Sequence, residues 1–218
     1  MVKEGTNGPC WKLLSKQKMN NQTSIQALLS QSEAIALQAH QLESARSTDE
    51  AVLHYDVALA MLQVLARLPG ESYRLLQQSA FVSERLGLLH LLRLDGYKAA
   101  LHLESAVAGY DRVLGSGSVK SMKLKVRLAE ALVRCGSAVP AQAAAQSAVA
   151  MLEGVEAYRG ASKAYAYYWL YRSELLRGEH EAAAAAASKM GAYLAANPEL
   201  LNSGSFALLL REVAGQVS

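Results

Sequence analysis

Histidine, cysteine and carboxylate side chains are the groups in this 218-residue chain that could bind a metal ion or transfer protons. The five histidines are His40, His54, His90, His102 and His180. None is paired with another histidine, cysteine or acid at the spacing of metal ligands on one helix face. The chain has no HExxH, CxxC or GxSxG motif, and residues 115–117 lack the lysine or third glycine of a phosphate-binding loop. We therefore expect no metal site and no cofactor, and the chain is not predicted to be an enzyme.

A basic stripe is the second feature with chemical potential. Lys120, Lys123, Arg127 and Arg134 share one face of a predicted helix, with Glu130 between them. The rest of that helix is apolar, which predicts that it is sandwiched between neighbouring helices. Two interpretations of the stripe stay open, a solvated face and a contact for an acidic partner segment. The net charge is only +3 and the stripe is not repeated along the chain, so nucleic-acid binding is not expected.

An aromatic cluster is the third such feature. Its members are Tyr165, Tyr167, Tyr168, Trp169 and Tyr171. Core packing explains most of them, but side chains this close along a helix point in all directions and cannot all face one core. Some must lie at a seam between helices or in an exposed groove. Tyrosine and tryptophan are also common anchors of protein interfaces.

These residues are expected to lie on helices, because the composition of the chain favours helix formation. Strong helix formers dominate, hydrophobic residues make up 51% and there are 4 prolines. Residues 1–22 are polar, contain Gly5, Gly8 and Pro9, and are expected to form a loop or disordered lead. Hydrophobic periodicity and turn signals predict nine helices in the remainder. They cover about residues 24–45, 50–68, 71–94, 97–114, 119–135, 140–152, 158–177, 179–196 and 203–217.

Two general features indicate where the chain works. No apolar run approaches the roughly 20 residues that a membrane helix needs, so no transmembrane segment is expected. The two cysteines, Cys10 and Cys135, lie far apart and suggest no disulfide framework. We therefore expect an intracellular protein of the cytoplasm or nucleus.

An internal repeat organises the second half. The segment Leu128-Ala129, Leu132, Gly136, Ala141, Ala145, Ala148 recurs 42 residues later as Leu170-Tyr171, Glu174, Gly178, Ala183, Ala187, Met190. A looser copy, at an offset of 40, is Leu88-Leu89, Leu92, Gly96, Leu101, Ser105, Ala108, and Ala51, Tyr55 and Ala58 repeat its second half. Each glycine is expected to end a first helix in the left-handed conformation. The small residues let a second helix pack closely, so that copies stack.

This pattern resembles the tetratricopeptide repeat (TPR) family, well over residues 80–198 and weakly over residues 24–70. The resemblance implies an all-α fold of stacked antiparallel helix pairs in a short right-handed solenoid. The repeat is longer than the usual 34 residues and mostly lacks its closing proline, so the helices are expected to be longer than in the standard repeat. One domain is expected over residues 23–218, with a sub-boundary at the Gly-Ser joint of residues 115–118.

A second resemblance covers about residues 24–94. Residues 50–62, with Glu50-Ala51, Tyr55, Ala58 and Leu62, are followed by a helix holding Ser79, Glu84-Arg85 and Leu86. This arrangement looks like the three-helix MIT domain. It would imply a module that binds helical tails of membrane-remodelling proteins.

The TPR resemblance implies where a partner would bind, since the first helix of each pair lines the concave groove in that family. Carried over by position, the groove would contain Ser83, Leu86, His90 and Arg93, then Lys123, Val126, Glu130 and Arg134, then Tyr165, Tyr168 and Arg172. Such a surface suits an acidic or mixed peptide or helix of another protein. The expected function is that of a scaffold or adaptor in a larger complex. The alternatives are the MIT-like module and a helical small-ligand binder or enzyme.

Overall fold

The computed structural model describes residues 10–68, 72–155, 158–202 and 204–216. Within these ranges the secondary structure consists of nine α-helices and one short 3₁₀-helix, without strands, which confirms the predicted all-α class. The helices are α1 (Cys10–Ser44), α2 (Thr48–Leu65), α3 (Tyr73–Leu92), α4 (Gly96–Leu114), α5 (Val119–Arg134), α6 (Ala138–Glu153), α7 (Ala161–Leu176), α8 (His180–Ala195) and α9 (Gly204–Gln216). The 3₁₀-helix, Pro198–Asn202, precedes α9.

The chain divides into two compact units, residues 1–79 and residues 80–218, so the division falls within α3. The Gly-Ser joint of residues 115–118 lies inside the second unit, where α4 packs directly against α5. Its last residue, Ser118, accepts a hydrogen bond from the Ser121 N–H at 3.2 Å and thereby caps α5. The joint is therefore a capped turn between two packed helices.

The first unit is built on α1 and α2, which pack against each other. The Tyr55 hydroxyl donates a hydrogen bond to the Glu43 carboxylate at 3.3 Å across this pair. Arg74, in the first turn of α3, binds both carboxylate oxygens of Glu33 on α1. Helix α1 is longer than the sequence predicted, because the predicted loop of residues 1–22 is helical from Cys10 onward. The helix breakers Gly5, Gly8 and Pro9 all precede Cys10, and residues 1–9 lie outside the described part.

Four interhelix turns share one backbone geometry. The second residue after each first helix has a positive φ: Arg46 at 64°, Leu94 at 60°, and Gly136 and Gly178 at 76°. The next N–H then donates to the carbonyl five residues back, with N···O distances of 2.9 to 3.0 Å, from Ser47 to Leu42, Asp95 to His90, Ser137 to Leu132 and Glu179 to Glu174. This Schellman-type bond satisfies carbonyls that the helix end leaves unpaired. The four turns define the pairs α1–α2, α3–α4, α5–α6 and α7–α8.

One part of the predicted repeat is wrong, because Gly96 does not end a helix. It is the first residue of α4, and a Cβ there would lie 2.9 Å from the Ala131 carbonyl oxygen on α5. Leu94 adopts the left-handed conformation that Gly136 adopts in the next pair. The offset between these two pairs is therefore 42 residues, as between Gly136 and Gly178, instead of the predicted 40.

The corrected offset reveals a regular ladder along the second helix of each pair. When residues are counted from the left-handed residue of each turn, the same four positions of the second helix are buried in all four pairs. They are Ala51, Tyr55, Ala58 and Leu62 on α2, Ala99, Leu103, Ala106 and Tyr110 on α4, Ala141, Ala145, Ala148 and Leu152 on α6, and Ala183, Ala187, Met190 and Leu194 on α8. The first of the four positions is alanine in every pair, which lets the start of the second helix lie close to its partner, and the fourth is a leucine or a tyrosine.

In the second unit the packing is antiparallel and close. A Cβ on Gly87 would lie 2.6 Å from the Leu103 Cγ, and one on Gly109 would lie 2.7 Å from the Ala80 Cβ, so α3 and α4 touch at both ends. Two apolar clusters follow, one centred on α4 and α5 and the other on α7 and α8. Trp169 on α7 packs against both clusters and joins them into one continuous core.

Candidate protein-binding groove

The corrected offset changes which face of α3 lines the groove. His90 was predicted to correspond to Glu130, but it corresponds to Leu132, and Leu88 takes the position of Glu130. A shift of two residues rotates a side chain by about 200° around a helix. This rotation explains why the His90 side chain is only 5% exposed and points away from solvent.

His90 is part of the core between α3 and α4 instead. Its ring stacks on the ring of His102, with the ring centroids 5.5 Å apart and the planes 2° from parallel. Burial, followed by the nearby His102, lowers the pKa of His90 below its ordinary value. The neutral ring is therefore the stable form in the folded protein, and His90 is not accessible to a partner.

A pocket of about 240 Å³ opens between the first helices of three successive pairs, α3, α5 and α7. It is lined by Glu84, Leu88, Lys120, Lys123, Leu124, Val126, Arg127, Ser162 and Tyr165. Three of the predicted groove residues are among these, namely Lys123, Val126 and Tyr165. The pocket joins an apolar floor to a wall that carries three basic side chains and one carboxylate.

The single carboxylate of the pocket, on Glu84, is engaged by neighbouring side chains. Lys120 Nζ lies 2.5 Å from Glu84 Oε1, and the Tyr110 hydroxyl donates to Oε2 at 3.0 Å. The nearly buried Glu84 thus has a cation and a hydroxyl as partners, as a buried charge requires. Burial and the Glu84 carboxylate raise the pKa of Tyr110 above its ordinary value, so the phenol stays protonated and remains a donor.

Glu130 is a second buried carboxylate, placed beside the pocket. Arg127 Nη1 and Arg134 Nη2 bind its two oxygens at 2.8 and 2.7 Å, from one turn before and one turn after it on α5. Glu130 is only 6% exposed, so its predicted role as a partner contact is replaced by that of an anchor for two exposed arginines. It fixes the position of Arg127 at the rim of the pocket.

Lys123 and Tyr165, two of the residues predicted to bind a partner, both line the pocket. Lys123 is exposed on α5, and the described residues provide no ion-pair partner for it. The Tyr165 ring is partly exposed, with the Arg127 guanidinium 5.8 Å from its centroid. Its other side rests on Phe206 of α9, at a centroid distance of 4.7 Å. The predicted placement of part of the aromatic cluster at a helix seam therefore holds for Tyr165.

Tyr168 and Arg172 lie further along α7, where α9 covers them. The Tyr168 hydroxyl donates to Glu212 Oε2 at 2.9 Å, and Arg172 Nη1 lies 2.5 Å from Glu212 Oε1. Tyr168 is buried and Arg172 is partly buried, so both contribute mainly to the docking of α9. Four predicted residues remain, and none of them lines the pocket. Arg93 and Arg134 are exposed near the ends of α3 and α5, whereas Ser83 and Leu86 are buried.

Six pocket residues were not among those predicted to bind a partner: Glu84, Leu88, Lys120, Leu124, Arg127 and Ser162. Lys120 and Arg127 did carry a sequence signal, since both belong to the basic stripe of α5. Glu84 and Leu88 were missed because α3 was aligned two residues out of register. No sequence signal marks Leu94 as the equivalent of Gly136, and only their shared positive φ in the structure reveals the register.

Two kinds of site are not found in the described part of the chain. It contains no group of three or more histidine, cysteine, aspartate or glutamate side chains that could hold a metal ion. None of its helices combines the length and the apolar character needed to cross a membrane.

Comparisons with known proteins identify the fold. No protein-family model matches the chain, and no curated protein matches it in sequence. BtubC (BKLC) from P. vanneervenii matches in structure with a TM-score of 0.64 and 16% identity, over 77% of this chain and 64% of BtubC. The chain thus spans less than two thirds of the length of BtubC.

A second similar structure contains the nearly identical TPR-like repeats of a Podosopora anserina protein named as a kinesin light chain. Its TM-score is 0.58 at 15% identity, over 87% of this chain and 98% of that one. A single-residue variant of the same repeats has a TM-score of 0.59 at 15% identity, over 87% and 97% of the two chains. The four equivalent helix pairs and these structural similarities together show that the chain has a TPR-like helical-repeat fold.

Proposed function

We propose that this protein is a scaffold or adaptor whose groove, formed by α3, α5 and α7, binds an acidic segment of a partner protein within a larger complex. The observation that carries the proposal is the composition of the pocket wall. Lys120, Lys123 and Arg127 face one carboxylate, Glu84, above an apolar floor. No catalytic role is included, because the groove offers a binding surface without a nucleophile paired to a base.

The electrostatics of the pocket favour an acidic partner. Glu84 offsets the charge of Lys120, and Glu130 is shared between Arg127 and Arg134. The charge of Lys123 is left to the solvent. A carboxylate of a partner would meet Lys123 first and Arg127 next, and complementary charge of this kind raises both the association rate and the specificity.

The apolar part of the pocket indicates that the partner also inserts a side chain. Leu88, Leu124 and Val126 form the floor, and Tyr165 with its stacked Arg127 forms one rim. Aromatic and arginine residues around a small apolar depression are typical of interface anchors. The volume of about 240 Å³ lies below the roughly 300–1,000 Å³ of small-molecule sites, which favours a partner side chain over a free ligand.

The proposed setting of this interaction is the interior of the cell, in the cytoplasm or the nucleus. Cys135 is a free, partly buried thiol, which suits a reducing compartment. The proposed partner segment is an extended or helical stretch of another protein.

The test is affinity capture from a cell extract with quantitative mass spectrometry, comparing the wild type with Lys123→Glu. Lys98→Glu is the matched control, because Lys98 is an equally exposed lysine on α4, outside the pocket. We expect a set of proteins to be lost with Lys123→Glu and kept with Lys98→Glu. Peptides tiled along each lost protein should then bind in fluorescence anisotropy, with an affinity that falls as salt rises.

Retention of the same proteins by Lys123→Glu would remove the support for the groove. Both substitutions are at exposed positions, so their melting temperatures should match that of the wild type, and circular dichroism provides that check.

A further inference from the structure

An apolar stripe on α2 faces solvent in the first unit. Leu53, Val57 and Val64 are 64%, 51% and 57% exposed, and Leu68, in the turn that continues α2, is 40% exposed. The exposed Ala60 and the partly exposed Met61 lie at its centre. Successive spacings of three or four residues place these side chains on one side of the helix, opposite the face that packs on α1.

The fold itself does not require this stripe. The equivalent outward-facing positions on α4, α6 and α8 are found by counting from the left-handed residue of each turn. They are Leu101, Ser105, Ala108 and Arg112 on α4, Ala143, Ser147, Ala150 and Gly154 after α6, and Ala185, Lys189, Ala192 and Ala196 after α8. Leu101 is the one large apolar side chain among these twelve residues, and the others are alanine, glycine, serine, lysine or arginine. A run of several large apolar side chains at these positions is therefore specific to α2.

The order of residues in the stripe is palindromic. Leucine stands at each end, valine comes next from each side, and the small Ala60 with Met61 occupies the middle. Two copies of one helix can pack antiparallel about a two-fold axis. Each residue of one copy then faces a residue of the other, and the two residue numbers always add up to the same value. An axis between residues 60 and 61 places Leu53 opposite Leu68 and Val57 opposite Val64. We propose that this stripe is a homodimer interface, in which α2 packs antiparallel against α2 of a second copy.

The charges beside the stripe agree with the same axis. Asp56 and Arg67 are exposed on one flank of the stripe, close to residues 57 and 68 respectively. In the antiparallel pair, each flank of the stripe faces the same flank of the other copy. Asp56 of one copy therefore lies within about one helical turn of Arg67 of the other. The symmetry produces this opposite-charge pair twice. In a parallel pair unlike flanks would face each other, so Asp56 of one copy would not meet Arg67 of the other.

The size of the stripe sets the strength of the dimer. Sixteen residues, from Leu53 to Leu68, span about 24 Å of helix. A single pair of helices of this length buries less than the roughly 1,200–2,000 Å² of a standard stable interface. The dimer is therefore a weak one that forms at high protein concentration, and the proposal does not depend on the groove of the second unit.

Charge reversal provides the sharpest test. Asp56→Arg alone and Arg67→Asp alone each create two like-charge pairs, so each should weaken dimerisation of the full chain by about tenfold in sedimentation equilibrium. An equimolar mixture of the two single variants restores both opposite-charge pairs and should form a heterodimer as strong as the wild type. Val57→Glu should abolish the dimer without unfolding the exposed helix.

Cysteine crosslinking locates the axis. In a Cys10→Ser, Cys135→Ser background, Ala60→Cys should form a disulfide-linked dimer under mild oxidation, because the two copies of position 60 meet at the axis. Ser105→Cys, at the exposed position of α4 equivalent to residue 57, is the control and should stay monomeric. A wild type that is monomeric at every concentration would overturn the proposal. So would a dimer that Val57→Glu leaves intact, or one whose two charge variants fail to complement each other.

Discussion

Leu94 and Gly136 occupy the same backbone position in successive helix pairs, with φ angles of 60° and 76°. In both turns the N–H of the following residue, Asp95 or Ser137, closes the same bond to the carbonyl five residues back at 2.9 Å. A glycine takes this left-handed conformation without steric cost, whereas a leucine Cβ crowds the neighbouring carbonyl oxygen. The shared cap geometry therefore holds Leu94 in a conformation that its own side chain opposes.

Relief of this backbone conflict should stabilise the protein. Leu94→Gly is expected to raise the free energy of unfolding by about 0.5–1 kcal/mol, because the gain at the backbone exceeds the entropy that glycine adds to the unfolded chain. The Leu94 side chain is 76% exposed, so its removal loses little burial. Urea denaturation followed by circular dichroism measures the change. The reciprocal Gly136→Ala should lower stability by about 1 kcal/mol, although a Cβ there would touch nothing within 4 Å. Equal stabilities for all three proteins would contradict this account.

The contact between α3 and α4 should be sensitive to one methyl group at Gly109. A Cβ there would lie 2.7 Å from the Ala80 Cβ, well inside van der Waals contact. Overpacking costs about 1–3 kcal/mol and the better helix propensity of alanine returns up to about 1 kcal/mol, so Gly109→Ala should lose roughly 1–2 kcal/mol.

Gly191→Ala is the matched control for Gly109→Ala. Gly191 also lies within a helix, but a Cβ there would meet nothing within 4 Å, so this variant should gain up to about 1 kcal/mol from propensity alone. Thermal unfolding of the two variants should therefore shift in opposite directions. A stabilising effect of Gly109→Ala would show that the close approach of α3 and α4 is not tight in solution.

Stability should fall as the pH is lowered below about 6.5, the ordinary histidine pKa, because of His90. Its pKa is lowered in the folded state, first by burial and then by His102, while Asp95 opposes this shift. Between the folded and the unfolded pKa, the unfolded chain binds more protons, so acid favours unfolding.

Replacing His90 with a side chain that does not titrate isolates this effect. His90→Gln should flatten the pH dependence of the melting temperature below about pH 6.5. His180→Gln, at an exposed position at the start of α8, should leave the slope unchanged. An acid slope that persists in His90→Gln would assign it to other groups.

The Tyr110 hydroxyl should stabilise the second unit through the buried Glu84. Tyr110→Phe leaves one oxygen of this carboxylate without its donor at 3.0 Å, and a hydrogen bond to a charged group contributes about 1.5–3 kcal/mol. Tyr193→Phe is the comparison, since its hydroxyl donates to the neutral Gly160 carbonyl at 3.1 Å and should cost about 1 kcal/mol. Chemical denaturation ranks the two, and an equal loss would show that Lys120 alone satisfies Glu84.

The pair of Gly136 and Gly178 shows what can be predicted from sequence here. Helix formers, the few prolines and hydrophobic spacing predicted the helices, and identical spacing around the two glycines predicted the repeat, because a left-handed cap and a close helix contact are local needs with local residue preferences. The basic stripe of α5 was also visible in the sequence, and its Lys123 lines the pocket together with Tyr165.

His90 and Glu130 show what only the tertiary structure decided. The left-handed conformation of Leu94 is imposed by the surrounding hydrogen bonds and is not indicated by the residue type. The register of α3 was therefore predicted two residues out. Glu84 is bound by Lys120 from 36 positions further along the chain. The partners of a buried carboxylate are brought together by helix packing, and a periodic pattern within one helix carries no information about them. The exposure of the palindromic stripe on α2 likewise depends on which faces the neighbouring helices cover.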